Sequence, residues 1–278
     1  MEKLKMKEEI INKVLGEIGL EDIEDIKPVA LVGKINTKVQ TLNPKESELA
    51  LIVQEIYIRI QERKGWDRNK ARQSWVTASG GDFEGFVRNH INEVLNTRGI
   101  IAIKGDALKK MAKKDNQIQE IIKFLMLPNK RRCTQTELKV WADSDVIVLT
   151  KNNEGTWKVL AVISCKTSDH SRNTSVLFWS LAFVQLGIKY FLATQDLDQQ
   201  FKEECKKAIK KQRRLFEAYC DRVFSTNPST KYCSQVKSLI IRRNGSSDLT
   251  DEPLELHRLG NNSSEKLTLK DFGIDTLF

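Results

Sequence analysis

Histidine is almost missing from this chain of 278 residues: His90, His170 and His257 are the only three, and they lie far apart. That argues against a histidine-rich metal cluster and against most Cys–His nucleophile pairs. The five cysteines, Cys133, Cys165, Cys205, Cys220 and Cys233, are odd in number, widely spaced and form no CxxC pair. They argue against a disulfide framework and a cysteine zinc site alike, and the expected setting is reducing and cytoplasmic. No apolar run approaches the ~20 residues that span a bilayer, so no membrane partner is expected. The opening MEKLKMKEEIINKVL interleaves charges with apolar residues, so it reads as an amphipathic helix and not as an export signal. Internal repeats, coiled-coil heptads and a GxxxxGK[ST] loop are missing too, which argues against ATP binding of the P-loop kind.

What is abundant is positive charge. Lys plus Arg number 46 against 37 Asp plus Glu, a formal charge of +9 with a sequence pI near 9.2. Such a balance favours polyanions, nucleic acid or an anionic membrane surface, without choosing between them. The 40% hydrophobic content excludes a disordered tail. At roughly 100–200 residues per domain, the length fits one large domain or a domain with an appendage, whose core needs no disulfide or metal staple.

Along the chain, Ile10, Ile11, Val14, Leu15 and Ile18 recur at helical spacing, and SELALIVQEIYIRIQER after Pro44 predicts a second, largely buried helix. Gly80-Gly81, with Asp82 near an N-cap, predicts a fresh helix start. Its core face is Phe83, Phe86, Val87, Ile91, Val94 and Leu95, and Gly99 ends it. These place a boundary near residue 75, between an N-terminal helical region, 1–75, and a main domain, 76–278. IIAIKG reads as a strand, and the Lys-rich stretch after it as a solvated helix face. DSDVIVLT and WKVLAVISCKTS, joined by a loop with Asn153 and Gly155, predict a β-hairpin. SRNTSVLFWSLAFVQLG predicts a helix, KYFLATQ a buried strand, DQQFKEECKKAIKKQRRLFEAYCDRVF a long basic helix, and VKSLIIRR a last strand before a Ser- and Asn-rich end. The expected fold class is α/β, a mixed central β-sheet flanked by helices.

The hairpin carries the chemistry. Asp145 stands at the mouth of the strand VIVL, and the next strand ends in Ser164-Cys165-Lys166. In an antiparallel hairpin with a short turn these two positions lie side by side, so a carboxylate and an ammonium meet at one end of the sheet. A carboxylate with open coordination suits Mg²⁺, which keeps waters and shares its shell with phosphate. The ammonium can orient an attacking water or stabilise charge developing on phosphorus. Metal-assisted phosphodiester hydrolysis is the reaction these parts serve.

This arrangement resembles the PD-(D/E)XK nucleases, with Ser144-Asp145 in the place of the first dipeptide and Ser164-Cys165-Lys166 in that of the second motif. The helix with Gly80-Gly81-Asp82-Phe83-Glu84 resembles the one that precedes this hairpin in the superfamily, where a glutamate often points to the metal site; Glu84 is the matching residue. The match covers about residues 79–196 and implies a mixed four-stranded core. Serine before Lys166, where Asp or Glu is the rule, resembles type II restriction endonucleases that cut CCGG-containing sites and carry an SxK motif. The N-terminal helical region and the size suit BsaWI-type members of that group. In the group, residues shortly after the lysine read G·C pairs; Asp169, His170, Arg172 and Asn173 occupy that stretch here. The group's downstream glutamate is missing from SVLFWSLAFVQLG, so Glu84 or Asp143 supplies the second carboxylate, with Glu84 preferred.

The resemblance therefore implies a Mg²⁺-dependent endonuclease acting on double-stranded DNA. Homodimer symmetry would match a palindromic site. Asp145 and Glu84 are the expected metal ligands, Lys166 positions the attacking water, Ser164 adjoins the metal site, and Arg172 can contact guanine as Asn173 can contact adenine. Each residue also has a plainer use. Asp145 could cap a strand, Lys166 could be a solvated strand end, and Glu84 could answer the helix dipole. Two other functions compete: a structure-specific repair or junction nuclease of the same superfamily, and a non-catalytic DNA-binding protein that kept the fold.

Overall fold

The computed structural model describes residues 2–19, 25–42, 46–128, 139–142, 144–152, 154–167, 173–197, 199–202, 211–227, 229–239, 242 and 245–262. The described helices are α1 (Glu2–Glu17), α2 (Pro28–Gln40), α3 (Glu46–Arg63), α4 (Arg68–Leu95), α5 (Gly105–Met111), α6 (Asn116–Leu125), α7 (Asn173–Gln185), α8 (Lys211–Tyr219) and α9 (Asp248–Asn262). The strands are β1 (Ile100–Lys104), β2 (Met126–Pro128), β3 (Lys139–Trp141), β4 (Val146–Lys151), β5 (Trp157–Lys166), β6 (Lys189–Thr194), β7 (Arg222–Ser225) and β8 (Val236–Ser238). Among the described residues no helix is long and apolar enough to cross a membrane.

Six strands form one mixed sheet in the order β1-β4-β5-β6-β7-β8, antiparallel from β1 to β5 and parallel from β5 to β8. β2 and β3 pair as a separate antiparallel ribbon. Helices cover both faces of the sheet, which is why its central strands are apolar almost throughout rather than alternating. On one face Phe83, Val87, Ile91 and Leu95 of α4 pack on Val146, Val148, Ala161, Ile163 and Cys165, with Leu249 of α9 beside them. On the other, α5, α6, α7 and α8 supply Leu108, Ile118, Ile121, Leu125, Val176, Phe183 and Phe216 against Ile147, Leu149 and Val162. Each such side chain, fully buried, contributes about 1.5–3 kcal/mol.

A third cluster belongs to the N-terminal helices. Ile11, Val14 and Leu15 of α1, Leu31, Ile35 and Val39 of α2, and Ile52, Ile56 and Ile60 of α3 enclose it, and Trp75 and Ala78 of α4 close it. Helix α4 is thus shared. Asp67 caps it by accepting from Asn69 N and Lys70 N, and it runs unbroken through residue 75 and through Gly80-Gly81. The expected helix start at Asp82 is corrected accordingly. The glycines serve helix contact instead: a Cβ on Gly81 would lie 3.3 Å from Val29 Cγ2, and α2 packs on α4 there. Gly99, with φ +74, does end the segment, through one 3-10 turn.

The hairpin forms as expected. Asn152 Oδ1 accepts from Glu154 N and Thr156 N, Gly155 takes φ +77, and a bulge between Val148 and Leu149 shifts the register. Asn153 lies outside the described residues. The sheet has six strands rather than four because Val236–Ser238 joins it and Arg222–Ser225, read above as the end of a basic helix, is a strand as well; the Ser- and Asn-rich end contains α9. Arg213 in α8 is fully buried, bonded to Glu217 Oε1 and to the carbonyls of Phe201 and Lys231. It is a packing staple rather than a phosphate contact.

Two glycine substitutions should move stability in opposite directions. A Cβ on Gly105 would lie 2.2 Å from the Ser144 carbonyl oxygen, so Gly105→Ala should cost about 1–3 kcal/mol in denaturant unfolding. A Cβ on Gly80, inside α4, meets nothing within 4 Å, so Gly80→Ala should add about 0.5–1 kcal/mol. Equal effects would mean that neither contact is as drawn.

Candidate active site

The site forms where β4 begins, β5 ends and β1 ends. Val146 pairs with Ile163, which places Asp145 opposite Ser164, and Lys104 pairs with Val146 from the other side. Strand alternation turns Ser164 and Lys166 to one face and Cys165 to the other, where it packs in the cluster under α4. Burial and the charges of Asp145 and Glu84 push the Cys165 thiol well up, so it is core and not a nucleophile.

Asp145 Oδ2 accepts three hydrogen bonds: from Cys165 N at 2.7 Å, Lys166 Nζ at 2.8 Å and Ser164 Oγ at 3.2 Å. Oδ1 takes none of these donors and is left for a ligand. The ion pair is well shielded, with side-chain exposures of 7% for Lys166 and 11% for Asp145. Losing one partner of such a pair costs about 3–5 kcal/mol, whereas exposed pairs are worth far less. The Asp145 backbone is held as well, its carbonyl accepting from Gly105 N at 3.3 Å. Beside it, buried Ser144 Oγ has no hydrogen-bond partner among the described residues.

Glu84 reaches the same end of the sheet from α4. Its pKa is raised by burial first and by the Asp145 charge second, against the opposing pull of Lys104 and Lys166. Lys104 Nζ donates at 3.1 Å to Glu84 Oε2 and at 3.1 Å to the Gly81 carbonyl. Asp82, next to it, is also raised by burial and opposed by Lys104.

The structure therefore brings Asp145, Ser164, Lys166 and Glu84 together. Asn173 begins α7, while Asp143, Asp169, His170 and Arg172 lie outside the described residues. Lys104 was missed by sequence reasoning. IIAIKG shows a strand-end lysine, but only the antiparallel pairing of β1 with β4 puts it beside Asp145.

A carboxyl raised by the charge of a second carboxylate beside it is relieved by a cation, and the hard oxygens of the two suit a divalent one. Among the described residues no group of three or more His, Cys, Asp or Glu could hold a metal. Two carboxylates leave the other positions to backbone, water or substrate oxygen. That fits a hydrated hard cation and does not fit zinc.

Comparison with known proteins gives three findings. Residues 130–244, which contain Asp145, Ser164 and Lys166, match the family model described as BsaWI restriction endonuclease type 2. Over 162 residues, 54% of this chain, the sequence is 28% identical to "Putative type II restriction enzyme MjaVIP" of Methanocaldococcus jannaschii. The chain spans 65% of the length of that curated relative. Among solved structures, the specific restriction endonuclease AgeI–DNA complex aligns with TM-score 0.58 at 18% identity, covering 91% of each chain. The mixed sheet flanked by helices is thereby a restriction-endonuclease fold.

The raised pKa of Glu84 has a sign that stability measurements can read. A carboxyl whose folded pKa exceeds its unfolded value contributes most below about pH 4, and that contribution is lost as pH rises through the folded pKa. Glu84→Gln removes the loss, so its stability relative to wild type should climb between about pH 4 and 7. A flat or falling difference in urea midpoints would show that Glu84 is not desolvated at this site.

Proposed function

We propose that this chain is a type II restriction endonuclease that hydrolyses phosphodiester bonds of double-stranded DNA at a defined sequence. The observation that carries the reading is the capture of Asp145 Oδ2 by Ser164, Cys165 and Lys166 within the segment that matches the restriction endonuclease model. Metal dependence goes with that family, and Mg²⁺ is the metal in our reading, held by Asp145 and Glu84. When bound, it supplies the charge that offsets the negative phosphodiester during attack.

The remaining chemistry belongs to the chain's own side chains. Three donors on Oδ2 prevent the Asp145 carboxylate from rotating, so Oδ1 meets its ligand with little reorganisation. Lys166 spends one N–H on Asp145 and keeps the others to orient the attacking water and stabilise charge on phosphorus. Ser164 cannot replace an acid. It braces Asp145, and Glu84 brings the second carboxylate from α4. Lys104 holds Glu84 in place until a substrate or cation competes for it.

The loop between β5 and α7 is our choice for base readout, through Asp169, His170, Arg172 and Asn173. A homodimer would place two such loops on a palindromic duplex. The 1–75 and 76–278 division belongs to the same proposal, with α4 running across its boundary.

Plasmid DNA incubated with the protein and Mg²⁺ should give discrete fragments. Binding without cleavage in Mg²⁺ or Mn²⁺ would leave a DNA-binding protein, and cutting confined to branched substrates would leave a structure-specific nuclease. Lys166→Ala should lower the cleavage rate by about 10²–10³-fold, with duplex affinity largely kept in the fraction that melts as a folded protein. Normal cutting by that variant would remove Lys166 from the site.

A further inference from the structure

A second feature lies outside the Asp145–Lys166 centre yet touches it. A half-open cleft of about 850 Å³ separates the N-terminal helices from the ends of the parallel strands. Its volume is in the upper part of the range for ligand sites. One wall is α2 and α4, and the other is built from segments following β6, β7 and β8. Lys104 lines the cleft and also holds Glu84. Gln195 lines it too, and its backbone N–H donates to the Lys166 carbonyl at 3.1 Å. The cleft therefore adjoins the site through Lys104 and through the Gln195 backbone, while Asp145, Ser164, Lys166 and Glu84 do not themselves line it.

Helical spacing explains the chemistry of the first wall. α2 buries Leu31, Val32, Ile35 and Val39 in the N-terminal cluster, which leaves Asn36 and Gln40, four residues apart, lining the cleft. Neither amide has a hydrogen-bond partner among the described residues. From α4 comes Arg88, whose Nε and Nη2 donate to Asn89 Oδ1 at 3.1 and 2.7 Å. Arg59, Arg68, Arg213, Arg222 and Arg242 are each paired with a carboxylate. Among the described residues Arg63, Arg72, Arg88, Arg98, Arg214 and Arg258 have none, and of these Arg88 is the one that lines the cleft. The lining holds one acid, Asp82, against the two cations Arg88 and Lys104.

A guanidinium aimed by a neighbouring amide but left without a counter-anion, in a cleft that shares Lys104 with the proposed phosphodiesterase centre, has the chemistry of a phosphate contact. We propose that the cleft is a DNA-backbone jaw. The N-terminal helices hold one strand of the duplex beside the bond to be cut, Arg88 contacts a phosphate, and Asn36 and Gln40 complete the contact through hydrogen bonds. This rests on the endonuclease reading above, and it gives the helical region a part in holding substrate.

The test is fluorescence anisotropy of wild-type protein, Arg88→Gln and the double variant Asn36→Ala/Gln40→Ala on duplex DNA in EDTA, repeated across salt concentrations. Arg88→Gln should bind about 10-fold more weakly on cognate and unrelated duplexes alike. Its log–log salt slope should fall by about one unit. The amide double variant should lose about 3-fold with its slope unchanged, because neutral donors release no counterions. All three proteins should melt together, since Arg88 bonds only to its neighbour.

Unchanged affinity and slope in Arg88→Gln, with a wild type that binds and cuts DNA, would overturn the jaw and leave the endonuclease reading intact. Loss confined to cognate DNA with an unchanged slope would overturn the phosphate assignment in favour of base contact. An unaffected amide double variant would remove α2 from the jaw. A wild type that neither binds nor cuts would instead sink the endonuclease reading itself.

Discussion

The arrangement of the site depends on one buried oxygen. Asp145 Oδ2 takes a backbone amide, a hydroxyl and an ammonium at once. A carboxylate and an ammonium this far from water are costly to bury unless each meets a partner, and β4 and β5 are paired so that both do. The register is therefore coupled to the chemistry. A slip of one residue would turn Ser164 and Lys166 to the face where Cys165 packs now, placing an ammonium against the apolar face that Phe83 and Val87 of α4 cover.

The contact radiates outward. The Ser144 carbonyl leaves no room for a side chain at position 105, which fixes where α5 departs from β1. The carbonyls of Lys166 and Thr167 accept from Gln195 N and Leu197 N, carrying the parallel pairing of β5 and β6 past the strand ends. On the opposite face α4 buries Phe83, Val87 and Ile91, and the same anchoring brings Glu84 to the sheet end. Lys104, from the third strand at this end, neutralises it. Two carboxylates and two ammonium groups thus meet as two ion pairs at an end of the sheet to which β1, β4, β5 and α4 all contribute.

Much of this was legible because it follows local rules. The hairpin, its terminal Asp and Lys, the inward turn of Cys165 and the cap at Gly99 come from period-two patterning, turn residues and left-handed glycine. What was not legible depends on distance. Gly80-Gly81 has the composition of a helix break, yet α2 packs against this stretch and Val29 needs the space that a Cβ on Gly81 would fill, so close packing overrides the local signal. Arg222–Ser225 follows a basic helix without a proline, and its strand character appears only when β6 and β8 flank it. Lys104 drew no attention because nothing in IIAIKG says which strand it will pair with.

The basic charge ends up divided in a way that composition could not express. Arg213 is fully buried and carboxylate-paired, and Arg59, Arg68, Arg222 and Arg242 are committed to carboxylates near the surface. Such pairs contribute little to a long-range field, because each cation is answered within about 4 Å and salt screens the remainder. A polyanion responds to the cations that are left over, and one of those, Arg88, lines the cleft beside Lys104, which is held by Glu84 and a carbonyl. Net charge therefore states how strongly such a chain can be drawn to DNA, while the distribution of unpaired cations decides where the duplex comes to rest. In the proposed jaw that place adjoins Lys104, the cation that holds Glu84 at the end of the sheet.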